Sequence, residues 1–291
     1  AREWGEWWLV SGGAKEDASG RMIWCARERP AYRVRYGDGT EFCLDLRESS
    51  ISAHWSAAST FEDTVAYLLG PILGLLLRLR GVLCLHGSVI ARGSTAFAVV
   101  GPRGIGKSTI AAAFALRGER ILSDDVAAIR AVDGDFRVSP GYARLRLWPE
   151  SQPLLFDRPI ELPRISSTWD KRYLDLGDGT LHFEGCAKTL SAIYLLDASI
   201  EGEAVSRVES VTGRDALLAL VVNTYPDATM LESVVRVKEL QALGALAAKV
   251  PLRRIKRGPG PRQLSVLCDV IREDFDAVVC GADRSGQIRS A

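Results

Sequence analysis

Residues 98–114 read AVVGPRGIGKSTIAAAF, and this stretch constrains the fold more than any other. An apolar, β-branched run enters a loop with glycine at 101, 104 and 106, and an alanine-rich run without a helix breaker follows. The pattern is strand, tight loop, helix. A strand that feeds directly into a helix crosses back to a neighbouring strand, so the chain belongs to the α/β class, with a parallel or mixed sheet around the loop. Gly101, Gly106, Lys107 and Ser108 also satisfy the spacing G-x-x-x-x-G-K-[ST]. In that spacing glycine lets the backbone approach phosphate oxygens and the helix N-terminus aims N–H groups at them. The lysine meets the outer phosphates, and the hydroxyl ligates Mg2+. The candidate nucleotide contacts are Gly101, Arg103, Gly104, Ile105, Gly106, Lys107, Ser108 and Thr109, with ATP and Mg2+ as ligands. Arg103 admits two readings, a charge aimed at the transferring phosphate or a solvated loop residue.

Sixteen and seventeen residues beyond Ser108 stand two adjacent carboxylates, in RILSDDVAAIR. The run reads as a strand with Asp124 and Asp125 in its middle, and side chains alternate along a strand, so the two acids face different sides. One then serves the metal, and the other faces the hydroxyl to be phosphorylated and takes its proton. The competing reading is a turn with two solvated acids. His86, in LHGSV one strand before the loop, is the third candidate, a contact beside the γ-phosphate. Lys171 and Arg172, in STWDKRYLDLG, are available to meet a phosphate or a peptide carboxylate. The run RRIKR, residues 253–257, either binds an acidic segment or covers a solvent face.

Composition excludes several classes. Lys and Arg number 37 against 36 Asp and Glu, a net charge of +1, which leaves no broad footprint for nucleic acid or a membrane surface. The most apolar stretch, residues 64–85, is interrupted by Gly70 and Pro71 and closed by Arg78 and Arg80, short of the ~20 apolar residues a span needs. It reads as a core helix from Phe61 to Arg80, capped by Ser59 or Thr60 and kinked at Pro71. Six cysteines are scattered without a CxxC pair, which fits reduced thiols and a cytoplasmic protein. The start AREWGEWWLV lacks the basic-then-apolar order of a secretory leader.

Three segments are expected. Residues 1–58 alternate apolar and polar positions between SGG, ASG and GDGT turns, an N-terminal β-rich subdomain with core or interface tryptophans. Residues 59–282 form the catalytic domain and 283–291 a flexible tail. Within the domain the sequence predicts a helix from Ser108 to Arg117 stopping at Gly118, a DG turn at 133–134 and a strand at SAIYLLD. Helices at RDALLALVVNTY and VVRVKELQALGALAAKV, a strand at PLRRIKR and a closing helix over PRQLSVLCDVIRED complete the reading.

Leu85 to Ile129 resembles the catalytic core of HPr serine kinase/phosphorylase, in the ordered set of His-Gly, the G-I-G-K-S loop, the R-G after the helix and the Asp pair. The resemblance implies a P-loop kinase core of the HPr kinase and phosphoenolpyruvate carboxykinase type. It implies that Lys107 and Ser108 hold ATP and Mg2+, that Asp124 is the base toward a serine, that Asp125 approaches the metal and that His86 sits beside the reacting groups. The Glu-x-Arg-Gly signature of the bacterial regulator has no clean copy here. The β-rich segment and YLLGPILGLLLRLRGVLCLHGS are more similar to HPr-kinase-related proteins of peptide natural-product clusters, including lasso peptide precursor kinases. The activity implied is phosphorylation of a serine on a ribosomally made precursor peptide, in a protein that forms a homo-oligomer. The alternatives are a small-molecule kinase, a nucleotide-gated precursor-binding protein and phosphorolysis of a phosphoserine.

Overall fold

The computed structural model describes residues 8–9, 23–28, 31–197, 207–257 and 263–288. The SGG and ASG turns, Trp4, Trp7 and residues 289–291 lie outside them. The N-terminal strands β1 (Trp8–Leu9), β2 (Ile23–Glu28), β3 (Ala31–Tyr36), β4 (Glu41–Asp45) and β5 (Ser50–His54) pair antiparallel in chain order. Alternation sets the buried face: Tyr32, Val34 and Tyr36 on β3 and Phe42 and Leu44 on β4 are buried, while Arg33, Arg35, Glu41, Cys43 and Asp45 between and beside them are less so. That face packs on Tyr67, Ile72 and Leu75.

These last residues belong to the apolar helical segment, which is not one helix. It comprises α1 (Phe61–Tyr67), a π-helical turn over Leu68–Ile72 that contains Gly70 and Pro71, and α2 (Leu73–Leu79). The expected kink at Pro71 is thus a π turn, the form in which a helix accommodates a residue that cannot continue the i→i−4 ladder. Thr60 caps α1 in a capping box with Asp63.

The central sheet follows. Strands β6 (Leu83–Arg92) and β7 (Thr95–Val100) form a hairpin, and β7 leads through the glycine loop into α3 (Lys107–Leu116). Gly118 lies past the end of α3, as expected. Strands β8 (Arg120–Ser123), β9 (Val126–Val132) and β10 (Asp135–Val138) come next, then a hairpin of β11 (Arg144–Leu147) and, after the short α4 (Gln152–Leu155), β12 (Arg172–Asp175). The chain continues through β13 (Lys188–Leu196), β14 (Arg207–Val211), α5 (Gly213–Val222), α6 (Ser233–Lys249), β15 (Leu252–Lys256) and α7 (Gln263–Ile288). α7 therefore covers most of the segment read as a tail.

The strand order is β10-β9-β6-β7-β13-β15-β14, with β8 paired to β6 and β10 reaching β13 as well. β7, β13 and β15 run parallel and the other pairs antiparallel, so the sheet is mixed. Both faces are covered. Phe97 and Val99 of β7 and Tyr194 of β13 join Phe114 of α3 and Ile271 and Phe275 of α7. The alternate residues Ala98, Val100, Ile193 and Leu195 meet Leu220 of α5 and Leu246 of α6. Parallel strands sandwiched between helices need apolar residues at consecutive positions, which is why SAIYLL and AFAVV do not alternate with polar residues.

Candidate active site

The glycine loop leaves the C-terminal end of β7 beside that of β13. A Cβ on Gly101 would stand 2.5 Å from the Leu196 carbonyl oxygen, so only glycine lets the two strand ends approach this closely. Gly101, Arg103, Gly104, Gly106, Lys107, Ser108 and Thr109 line a cavity of about 370 Å3. Ile105 does not: its side chain packs toward the core and its carbonyl accepts from Arg257 Nη2 at 2.8 Å. The first turn of α3 leaves N–H groups without intrahelical acceptors at the loop. Lys107 is 6% exposed, and its Nζ donates to the carbonyls of Gly101 (2.9 Å) and Pro102 (2.8 Å). Burial lowers its pKa to about 8 against the pull of Asp125 and Asp124.

The two carboxylates sit in the connection between β8 and β9 rather than within one strand, and Asp125 has a left-handed φ of 73°. This corrects the expected continuous strand: the positive φ breaks the alternation and sends the carboxylates to sites of their own. Asp124, 3% exposed, accepts at Oδ1 from Ser88 Oγ (2.6 Å) and Ser108 Oγ (2.9 Å), and at Oδ2 from the Arg146 backbone N–H (3.0 Å). Asp125 carries Oδ2 3.3 Å from Arg146 Nη1 and Oδ1 3.6 Å from His86 Nδ1. Burial alone would raise the Asp125 pKa, but Arg146 first, then His86, Lys171 and Lys107, pull it down to about 2. The resemblance implied Asp125 beside Ser108 at the metal, whereas the carboxylate hydrogen-bonded to the loop serine is that of Asp124.

His86 Nδ1 lies 3.0 Å from the Asp125 carbonyl oxygen, and a carbonyl only accepts, so Nδ1 bears the hydrogen and Nε2 of the neutral ring is an acceptor. Burial lowers the His86 pKa more than Asp125 raises it, which keeps the ring neutral. The ring stacks on Tyr225 at 4.8 Å. Opposite, Gly70 of the π turn leaves the room Asp125 occupies, for a Cβ there would come within 3.1 Å of Asp125 Oδ2 and 3.3 Å of Tyr225 Oη. Lys171 lines the same cavity, whereas Arg172 turns its Nη1 toward the carbonyls of Asp170 and Lys171. The RRIKR run divides: Arg253 pairs with Asp274 and Arg254 with Asp197, while Arg257 holds the glycine loop.

Sequence reading missed Arg146, Ser88, Gly70 and Tyr225. Arg146 is 4% exposed in β11, between the buried Leu145 and Leu147, with its guanidinium over the Tyr142 ring at 5.3 Å. An arginine flanked by two core leucines in RLRL was the available signal.

Asp124 and Ser108 offer one carboxylate and one hydroxyl side by side, a set that suits Mg2+ when phosphates and water supply the other oxygens. Among the described residues no three His, Cys, Asp or Glu side chains are grouped to hold a metal by themselves. No described helix is long and apolar enough to cross a membrane.

No family model matches the chain, and no curated protein matches it in sequence. Among solved structures it is similar to the Hpr(Ser) kinase/phosphatase from Coxiella burnetii, at 12% identity and a TM-score of 0.40, over 72% of this chain and 99% of that one.

Proposed function

We propose that this protein is an ATP- and Mg2+-dependent kinase that transfers the γ-phosphoryl group to a serine hydroxyl of a peptide, a ribosomally made precursor of the lasso type. One observation carries the reading. The loop serine is hydrogen-bonded to Asp124, and the next carboxylate, Asp125, opens onto the same cavity as the loop. A phosphate cradle and an acid able to meet an alcohol thus share one chamber. Support for the peptide and its class comes from the resemblance of the N-terminal β-rich segment and of residues 67–88 to precursor kinases.

The residues divide the work as follows. The N–H groups of the loop and of the first turn of α3 bind phosphate oxygens, and Lys107 Nζ exchanges its two carbonyl acceptors for phosphate oxygens. Asp124 and Ser108 would hold Mg2+, which neutralises charge on the outer phosphates when bound. Asp125 accepts the hydrogen bond of the serine hydroxyl and orients its oxygen. As the serine O–P bond forms and the bond from the γ-phosphorus to ADP breaks, the hydroxyl proton passes to Asp125. A carboxylate with a pKa of about 2 is a weak base. Phosphoryl transfer through a loose transition state asks mainly for positioning, so the proton moves late and a weak base suffices. Arg146 and Gly70 fix that carboxylate, and neutral His86 Nε2 adds an acceptor beside it.

The test is intact-mass analysis of the precursor peptide after incubation with ATP and Mg2+. A gain of one phosphate on serine is expected, abolished in Asp125→Asn with nucleotide affinity retained, whereas Asp124→Asn and Lys107→Ala lose affinity for MgATP as well. An Asp125→Asn protein transferring at the parental rate would overturn the assignment of the base. The far wall of the cavity, with Tyr36, Tyr67, Trp169 and Met230, favours a second reading, a small-molecule alcohol with an apolar body. A peptide left unmodified while a small alcohol is phosphorylated would select it.

A further inference from the structure

Lys171 is a cation without an oxygen. Among the described residues no acceptor lies within hydrogen-bond or ion-pair reach of its Nζ, which sits 5.3 Å from the centre of the Trp148 ring. An ammonium has three donors, and Lys171 is only part-buried, so with no protein oxygen in reach those donors are left to the cavity it lines. Burial lowers its pKa, and Asp125 and Asp124, in that order, are the charges that oppose the effect. Lys171 therefore feels most strongly the two carboxylates at the transfer end of the cavity.

Its placement is enforced from a distance. Asp63, fully buried at the third position of α1, accepts from Ser166 Oγ (2.6 Å) and Thr168 Oγ1 (2.5 Å). Trp169 sets its ring edge-on to Tyr67 at 5.8 Å, and the Lys171 carbonyl accepts from the Ile165 N–H at 3.0 Å. The segment that ends in Lys171 is thus bolted to α1 and to its own hairpin. A fixed loop that holds an ammonium with no protein oxygen partner on a cavity wall is organised for an anion that arrives from outside the chain.

We propose that Lys171 completes an oxyanion subsite for the transferring phosphoryl group. It meets γ-phosphate oxygens from an element separate from the glycine loop and stays with the group as it passes to the acceptor. The inference rests on the kinase reading above and adds a catalytic residue to it. An anionic group on the acceptor has the same oxyanion chemistry, and binding measurements separate the two sources.

The full chain is titrated calorimetrically with MgADP and with the β,γ-imido analogue of MgATP. The parent is expected to prefer the analogue. In Lys171→Met affinity for the analogue falls about tenfold, the worth of one charge-assisted hydrogen bond, while MgADP affinity changes less than about twofold. Lys171→Arg regains most of the difference, and Lys171→Gln repeats the Met result should that variant melt early. Equal losses for both nucleotides, no loss for either, or a loss confined to the KM of the acceptor overturns the subsite while leaving the kinase reading intact. A parent protein that binds neither nucleotide overturns that reading and this inference with it.

Discussion

Gly70 is a glycine for a reason no local pattern reveals. It stands in the π turn, and the atom it lacks would crowd Asp125 Oδ2 at 3.1 Å and Tyr225 Oη at 3.3 Å. Gly70→Ala must therefore displace the carboxylate by a few tenths of an ångström or push the helix outward. We expect phosphoryl transfer to fall by about tenfold or more, since misplacement of about 1 Å costs roughly a hundredfold, with MgADP affinity unchanged. Steady-state rates beside calorimetric titration check this, and unchanged transfer would mean that the π turn yields without cost. The same scale explains why the two aspartates have different partners. Ser108 and Ser88 claim Asp124, and the left-handed backbone at Asp125 turns the next side chain toward Arg146. The pair SDD was legible as two acids beside the loop; which of them meets Ser108 was not, because its cause is one φ angle and an arginine twenty-one residues away.

At the scale of elements, α2 is tied to α6 by a buried ion pair. Arg78, 1% exposed, donates from Nε and Nη2 to the two carboxylate oxygens of Glu239, each at 2.6 Å, and from Nη1 to the Pro226 carbonyl. The guanidinium thus joins the π-interrupted segment to α6 and to the loop that carries Tyr225 to the cavity beside the glycine loop. Removing one partner strands a buried charge, so Arg78→Ala should cost about 3–5 kcal/mol in urea unfolding. A cost under about 1 kcal/mol would show that water replaces the missing partner. In the sequence Arg78 reads as the polar end of an apolar run. That it is the most deeply buried cation of that run depends on α6, more than 150 residues further along the chain.

At the scale of the molecule, one mixed sheet sandwiched between α3 and α7 on one face and α5 and α6 on the other positions the site at the ends of β7 and β13. The same layering sorts the thiols. Cys25, Cys84 and Cys268 are buried, and burial pushes their pKa up to about 12, 12 and 11. Cys186 and Cys280 are exposed. A thiol reagent at pH 8 should label those two rapidly in the native protein and the three buried ones only after unfolding, because thiolate is the reactive form. Rapid native labelling of Cys84 or Cys268 would show that the layers open. The sequence by itself determined the strand, loop and helix at 95–116, the antiparallel strands at 31–54 and the apolar strand at 188–196, since glycine spacing and hydrophobic period act over a few residues. It also named most of the chamber: His86, Lys107, Ser108, Asp124, Asp125 and Lys171. Only the tertiary structure decided which carboxylate meets Ser108, the burial of Arg146 against them, the π turn that makes room for one and the place of Lys171 on the cavity wall without an oxygen partner. Each of these arises where elements distant in the chain compete for the same few ångströms, and no local pattern encodes that competition.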